Sequence, residues 1–426
     1  MTVKDMLGRS GVVSREDALK ILYKHLIFSD LPREEVSISS ALGRILAEDI
    51  SSPINLPEFD RSTMDGYAVR STDTFGAAEL RPALLEVVGD IVMGTLPDKP
   101  IAKGEVMKIA TGGALPEGSD AVVMFEHTQP LNATSIEIVK PVAPFENVVQ
   151  TGDDIKKDEL ILNRGHRMRP QDISALAALG ITRISALRRP RVAIISTGNE
   201  IVPADSTPGP GQIRDSNSYN LEGLISQTGG VPAKKGIIRD EYVRLRETLN
   251  AAISDSDLVL MTGGSSVGTA DLTARVINDA GHPGVLVHGV SIRPGKPLAI
   301  GLVSSPHGHV PVFGLPGHPA AVSICFEIFV RPLLCRMSGE IPNPVLEGVP
   351  AIRTIKARLA RSVVSSPGRE DHVRVTLEKR DDVLWARPLF GASGLISTML
   401  KAVGTVVIPA AKIGIETGEE VEVRLF

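Results

Sequence analysis

The sequence predicts a multidomain α/β plus β protein built around a doubly wound α/β domain. Three observations carry this expectation. The 426 residues exceed what one ordinary hydrophobic core absorbs. Strand-like and helix-like segments alternate regularly after Arg188, Arg189 and Pro190, the pattern of a parallel sheet covered by helices. On both sides of that stretch the texture changes to short apolar runs broken by Gly, Pro and Asp, which reads as β structure.

Taken in order, Ser14 followed by Asp17 forms a capping-box signature, and Ala18, Ile21, Leu22 and Leu26 recur at helical spacing, so an amphipathic helix opens the chain. His25 lies on or beside that stripe and reads as a packed histidine. From Ser51 to about Pro144 the runs LLEVVGDIV, EVMKIATGG, DAVVMFEHT and SIEIVK suggest an inserted, mainly β domain at 51–145. It interrupts an N-terminal domain expected at 1–50 and 146–186, in which Pro170 suits a first helical turn and Gly180 a stop. The central domain is placed at 187–340, with strands RVAIIS, AKKGIIRD, DLVLMTGG, PLAIGLV and VPVFGLPG. Its helices are SYNLEGLISQTGG, YVRLRETLNAAI, TADLTARVINDAG and AAVSICFEIFVRPLLCRMSG. A C-terminal β domain at 341–426 follows from AIRTIKARLA, DHVRVTLEKR, VLWARPLF, TVVIPA and EVEVRLF.

Composition narrows the function classes. A net charge of -4 and a 4% aromatic share supply neither a basic field nor stacking platforms, so no nucleic-acid partner is expected. The opening MTVKDMLGRSGVVSRED lacks a secretory pattern and no run is apolar enough to span a bilayer, so a cytoplasmic protein without a membrane partner is expected. Cys325 and Cys335 share one apolar segment without metal-type spacing and read as buried thiols.

In an open parallel α/β sheet ligands bind outside the carboxyl ends of the strands. That rule selects Glu200 after RVAIIST, Asp240 after KKGIIR, and Asp271 after DLVLMT and its glycine loop. Three acids on one rim repel unless a cation joins them, and hard oxygen donors with open water positions suit Mg²⁺. Taken singly, Glu200 and Asp240 also fit solvated or capping acids. The loop Gly263, Gly264, Ser265, Ser266, Val267, Gly268 precedes a helix and suits either a phosphate cradle or a tight turn. In RPGKP, Arg293 and Lys296 sit among backbone-restricting prolines, fit for an oxyanion or for a solvated basic loop. Pro316, Gly317, His318 and Pro319 form GLPGHP at a further helix start, where His318 either contacts ligand or caps the helix. Asp60, Ser62 and Thr111 lie in the polar stretches PEFDRSTMDGYAVR and IATGGALPEGSDAVVM, to which spacing alone gives no role.

Taken together and in this order, FDRSTMDGYAVR, IATGGALPEGSDAVVM, STGNE, GGSSVGTADLT, RPGKP and GLPGHP resemble the signature series of the MoeA-type molybdopterin molybdenumtransferases, which also form the E domain of gephyrin. The resemblance implies an elongated four-domain subunit with a central molybdopterin-binding domain and a C-terminal β-barrel-like domain. It also implies a homodimer in which the DRS/MDGYA region of one subunit completes the cleft of the other. The implied reaction takes adenylylated molybdopterin and molybdate, releases AMP with a divalent cation assisting, and leaves molybdenum on the pterin dithiolate. Other proteins of molybdenum-cofactor biosynthesis are then further partners. Carried over by motif, Asp60, Thr111, Glu200, Asp240 and Asp271 are functional positions, Pro316 and Pro319 shape the cleft, and Arg369 and Ser393 of the C-terminal domain match family positions. Arg293 stands where many relatives have lysine, Gly289 near a position that is lysine in some, and His318 where asparagine is usual, which leaves molybdate against tungstate open. Two rival functions are a non-catalytic scaffold of the gephyrin type and a molybdopterin adenylyltransferase. The rim acids argue against the first, and the long N-terminal and C-terminal portions against the second.

Overall fold

The computed structural model describes residues 11–26, 28, 31–263, 267–306, 308–340 and 354–426, with the backbone alone for 267–271. The chain forms two compact units, one of Val36–Leu42 and Glu48–Ile184, the other of Met1–Glu35, Gly43–Ala47 and Ser185–Phe426.

The first unit is organised by a six-stranded sheet in the order Ala121–Met124, Gly66–Val69, Glu105–Ile109, Ala83–Asp90, Ser135–Ile138, Thr128–Pro130. Val69, Val106, Val123, Ile136 and Ile138 form its buried apolar side, as alternation along half-buried strands requires. Gly66 is demanded by packing, because a Cβ there would lie 2.0 Å from the carbonyl oxygen of Val123. The same unit holds the helix Pro170–Ala178, with proline in its first turn and Gly180 at φ +73° beyond its end.

The second unit opens with the helix Arg15–His25, whose N-cap Ser14 accepts a hydrogen bond from the Asp17 backbone N–H at 3.1 Å. Ala18 and Leu22 are fully buried. His25 is not packed as the sequence suggested: it is exposed, and its Nδ1 lies 2.8 Å from the Ile21 carbonyl oxygen one turn back.

The central sheet runs Val231–Ile238, Arg191–Thr197, Leu258–Thr262, Gly308–Leu315, Ala299–Ser305, Pro283–His288. Val192 and Ile194 face the helices Arg15–His25, Asn217–Thr228 and Pro319–Cys325 with its continuation, whereas Ala193 and Ile195 face Tyr242–Asp255 and Val267–Ala280. The period-2 alternation of strand side chains thus places helices on both faces. The purely parallel sheet expected from the alternation is corrected to a mixed one. Ala299–Ser305 pairs antiparallel with both Gly308–Leu315 and Pro283–His288. Ser305 and Gly308 are too close in sequence for a crossover, which a parallel pair needs, and the strand Pro283–His288 was not anticipated. The helix after Pro319 carries a π-helical turn at Phe326–Val330, where the Arg331 N–H bonds the Phe326 carbonyl. That extra residue per turn precedes Pro332, whose ring has no N–H to continue an ordinary ladder.

The C-terminal strands Glu370–Arg380, Val383–Pro388, Thr354–Leu359, Glu420–Leu425 and Gly404–Ile408 pair in that order, and the last returns to pair with the first. They close a five-stranded barrel around Leu359, Val375, Ala386, Val406, Ile408 and Val423. Ile292 and Arg293 pair with Glu370 and Asp371, fastening the barrel to the central domain. Cys325 is buried and Cys335 partly so, and neither is in a disulfide. Among the described residues no helix is long and apolar enough to cross a membrane.

Candidate functional site

Two neighbouring strands of the central sheet end together in acids. Gly198, at φ +145°, follows Arg191–Thr197 and its N–H bonds the Ile238 carbonyl at 3.2 Å, tying this end to that of Val231–Ile238. Asn199 then accepts the Asp240 backbone N–H at 3.3 Å. Asp240 is held above the usual carboxylate range, first by partial burial and then by the negative charge of nearby Glu200. Of the three acids predicted on this rim, Glu200 and Asp240 are near enough to influence one another electrostatically. Asp271 is described only as backbone in the helix Val267–Ala280, and Gly268 likewise; Gly264, Ser265 and Ser266 lie outside the described residues. Among the described residues no three His, Cys, Asp or Glu side chains gather into a metal-sized cluster.

Gly263, at φ +140°, ends Leu258–Thr262 next to Thr197, and a Cβ there would lie 2.1 Å from the Thr197 carbonyl oxygen. No side chain fits, so glycine is a condition for two strand ends to meet at the rim.

The cations assemble elsewhere in the same unit. A cavity of about 800 Å³ lies between the central domain and the barrel. Arg293, Lys296, Pro316, His318, Arg369 and Ser393, all singled out from sequence, line it. Gly295 packs against Ile292 and Cys325 so closely that a Cβ would lie 2.7 and 2.8 Å from them, which seats the RPGKP loop on the core. Asn217 donates to the Gly317 carbonyl at 2.8 Å and the Ser393 carbonyl accepts the Ala320 N–H at 3.2 Å, fixing GLPGHP. His318 precedes Pro319 but its side chain makes no capping hydrogen bond. It packs instead beside Gly394, where a Cβ would lie 3.2 Å from the ring. His318 stands at the N-cap, where its carbonyl accepts the Ala321 and Val322 N–H groups, and its side chain takes no part in the cap.

Sequence reasoning missed Asp371 and Arg374, which also line this cavity. Asp371 is buried and accepts from Arg369 Nε at 2.7 Å, with Arg293 at 3.8 Å. The signal was the charged run Arg369, Glu370, Asp371, His372, Arg374 ahead of the apolar part of a strand.

In the other unit, Asp60 accepts hydrogen bonds from the Thr151 backbone N–H and hydroxyl at 2.7 and 2.8 Å. Thr111 donates both its N–H and its hydroxyl to Asp65, at 2.7 and 2.9 Å, and these bonds hold the Asp65 carboxyl below its ordinary range. Ser62 is buried and donates to the Met64 carbonyl at 2.5 Å.

Comparison with known proteins accounts for nearly all of the chain. Residues 13–180 match the MoeA N-terminal region (domain I and II), 193–336 a "probable molybdopterin binding domain", and 356–426 the MoeA C-terminal region (domain IV). The molybdopterin molybdenumtransferase of a Nostoc species is 33% identical, covering 93% of this chain and 91% of its own, and that of Bacillus subtilis is 31% identical over 92% and 90%. The crystal structure of a molybdopterin biosynthesis MoeA protein from Pyrococcus horikoshii superposes with a TM-score of 0.83 at 40% identity, covering 97% of this chain and 99% of that one. With all regions matched in order over most of its length, the chain belongs to the MoeA family.

Proposed function

We propose that this protein is a molybdopterin molybdenumtransferase of molybdenum-cofactor biosynthesis, which inserts molybdate into adenylylated molybdopterin and releases AMP. The observation that carries the reading is the cation-lined cavity, in which Arg293, Lys296 and Arg369 surround a volume whose one acid among the described lining residues, Asp371, is already paired. Such an arrangement attracts a tetrahedral oxyanion, and guanidinium forks fix its orientation. In this reading Ser393 and the GLPGHP segment complete the wall, and the loop beginning at Gly263 receives the pterin phosphate at the start of the helix Val267–Ala280.

A divalent cation fits the acid pair. Burial first and then the like charge of Glu200 raise the proton affinity of Asp240, and the hard oxygens of both acids suit Mg²⁺. Glu200, Asp240 and Asp271 are the proposed ligands. When bound, the cation would neutralise charge on the phosphoryl oxygens of the departing AMP. A homodimer in which Asp60, Ser62 and Thr111 of one subunit serve the cleft of its partner, a cytoplasmic setting, and the domain boundaries at 50/51, 145/146, 186/187 and 340/341 belong to the same reading.

The test is AMP release from adenylylated molybdopterin with molybdate and Mg²⁺. Release that requires all three supports the proposal. A protein that binds the pterin without turnover is instead a scaffold, and pyrophosphate release from ATP and molybdopterin by this chain alone would make it an adenylyltransferase.

A further inference from the structure

The aspartates of PEFDRSTMDGYAVR are gripped by threonines in the same way. Asp60 accepts both the N–H and the hydroxyl of Thr151 on its Oδ1, and Asp65 accepts both from Thr111 on its Oδ1. The roles are exchanged between the pairs. At the first, the aspartate is the residue carried over by motif and the threonine holds it. At the second, the threonine is carried over, and Asp65 has no part of its own in the reaction proposed above.

A threonine hydroxyl has a single proton beside its lone pairs, and an ionised carboxylate only accepts. The Thr111 backbone bond first, and the hydroxyl bond second, hold the Asp65 carboxyl below its ordinary range, so it is ionised at neutral pH. The Thr111 proton is thus committed to Asp65 at 2.9 Å, and the oxygen keeps only lone pairs for a ligand. Such a hydroxyl receives an N–H or O–H group and has no proton to offer an oxyanion. Both residues are exposed, so a ligand can reach them.

Holding the loop does not require this carboxylate. The Gly112 N–H bonds the Ser62 carbonyl at 2.8 Å, the Ser62 N–H the Gly113 carbonyl at 3.0 Å, and the Leu115 N–H the Asp60 carbonyl at 2.9 Å. Gly113 packs on Ile109 so closely that a Cβ would lie 2.8 Å from its side chain. Backbone bonds and close packing already lace the segments together, and what the Asp65 carboxylate adds is the direction of the Thr111 hydroxyl.

We propose that Asp65 is a positioning residue for metal insertion: by taking the Thr111 proton it fixes Thr111 as a hydrogen-bond acceptor for an N–H or O–H group of adenylylated molybdopterin. The inference rests on the molybdenumtransferase reading and on the place of Thr111 in it. Donors of this kind occur on the aminopyrimidine ring of the pterin and on the sugar and base of the AMP half.

The experiment follows AMP release by the full chain for wild type, Asp65→Ala, Asp65→Asn, Thr111→Val and the double variant Asp65→Ala/Thr111→Val. For each, the KM for adenylylated molybdopterin, inhibition by free AMP and the melting temperature are read. Asp65→Ala and Thr111→Val should each raise KM about tenfold at an unchanged melting temperature. The double variant should be no worse than either, because both changes remove the same hydrogen bond to substrate. Asp65→Asn, whose amide oxygen accepts the same bonds, should stay within about threefold of wild type. AMP inhibition that weakens in step places the donor on the AMP half, and unchanged inhibition places it on the pterin.

If Thr111 instead donated to an oxyanion, Asp65→Ala would free its proton and leave KM unchanged or lower, which overturns the proposal. Losses that add in the double variant overturn it too, as does a lower melting temperature in Asp65→Ala with KM unchanged, the mark of a structural carboxylate. Wild-type KM in Thr111→Val also removes Thr111 from the functional reading, whereas a raised KM there with a silent Asp65→Ala overturns this inference alone. No AMP release by wild type overturns the molybdenumtransferase reading and this inference with it. Should Asp65→Ala not fold, Asp65→Leu takes its place in the cycle, and additive losses there overturn the assignment.

Discussion

The acid rim and the cation cavity belong to one compact unit but are assembled by different rules. Glu200 and Asp240 meet because they follow adjacent parallel strands, whose ends are aligned by register from Arg191 opposite Val231 to Thr197 opposite Ile238. The cavity joins Arg293 to Arg369 and Asp371, residues far apart in the chain, through a short parallel pairing of Ile292–Arg293 with the first residues of a barrel strand. The rim is therefore a property of one sheet, whereas the cavity depends on how a second domain is fastened to it. Failure of the barrel to dock removes the cavity and leaves the rim intact.

The largest effect expected is on the rim itself. Gly263→Ala drives a Cβ to within 2.1 Å of the Thr197 carbonyl oxygen at a φ of +140°, and overpacking plus strain should cost about 3 kcal/mol or more of stability. Urea denaturation measures this. A variant as stable as wild type would show that the strand ends are free to separate, and the rim would lose its fixed geometry.

Next in size is Asp240→Asn, which keeps the shape and removes the charge. If the acid pair holds the cation, AMP release falls on the order of 100-fold while the oxyanion affinity of the cavity is unchanged. The Asp271→Asn variant should follow it. Single-turnover assays with saturating molybdate separate the two regions, and unchanged turnover in both variants would remove the metal assignment.

Asp371→Asn probes the cavity in the same isosteric way. It leaves Arg369, itself 30% exposed, without its buried carboxylate partner, at a cost of about 2 kcal/mol. The guanidinium is no longer held in a fork, so molybdate affinity should fall roughly tenfold, with AMP release at saturating molybdate retained. A fall in turnover without a fall in affinity would show that rim and cavity are not separable.

Much of this was legible in the sequence where local rules decide. The opening helix announced itself through Ser14, Asp17 and the Ala18 and Leu22 stripe, and the central strands through runs such as RVAIIS that are apolar on both faces. The rim acids followed from the strand-end rule before any resemblance was used. What stayed hidden depends on long-range contact. The strand Pro283–His288 lies at the sheet edge with mixed burial and gave no clean period. Asp371 and Arg374 sit in a charged run whose burial depends on the pairing of that strand with Ile292–Arg293. His25 looked buried because it neighbours the apolar stripe, yet its imidazole stays exposed and lies within hydrogen-bond distance of the Ile21 carbonyl in the last helical turn.

The smallest effect expected tests the departure at the mouth of the cavity. Arg293 is 64% exposed and 3.8 Å from Asp371, too loose for a bidentate bond, so its contribution is that of a screened surface charge. Arg293→Lys keeps that charge and should change molybdate affinity by less than about threefold, whereas Arg369→Lys, which breaks a 2.7 Å guanidinium bond to a buried carboxylate, should change it more. Titrating both variants at low and high salt sharpens the point. The Arg293 contribution should fade as salt screens it and that of Arg369 should persist. An Arg293→Lys loss as large as that of Arg369→Lys would place the bound oxyanion at the exposed loop and not at the barrel wall.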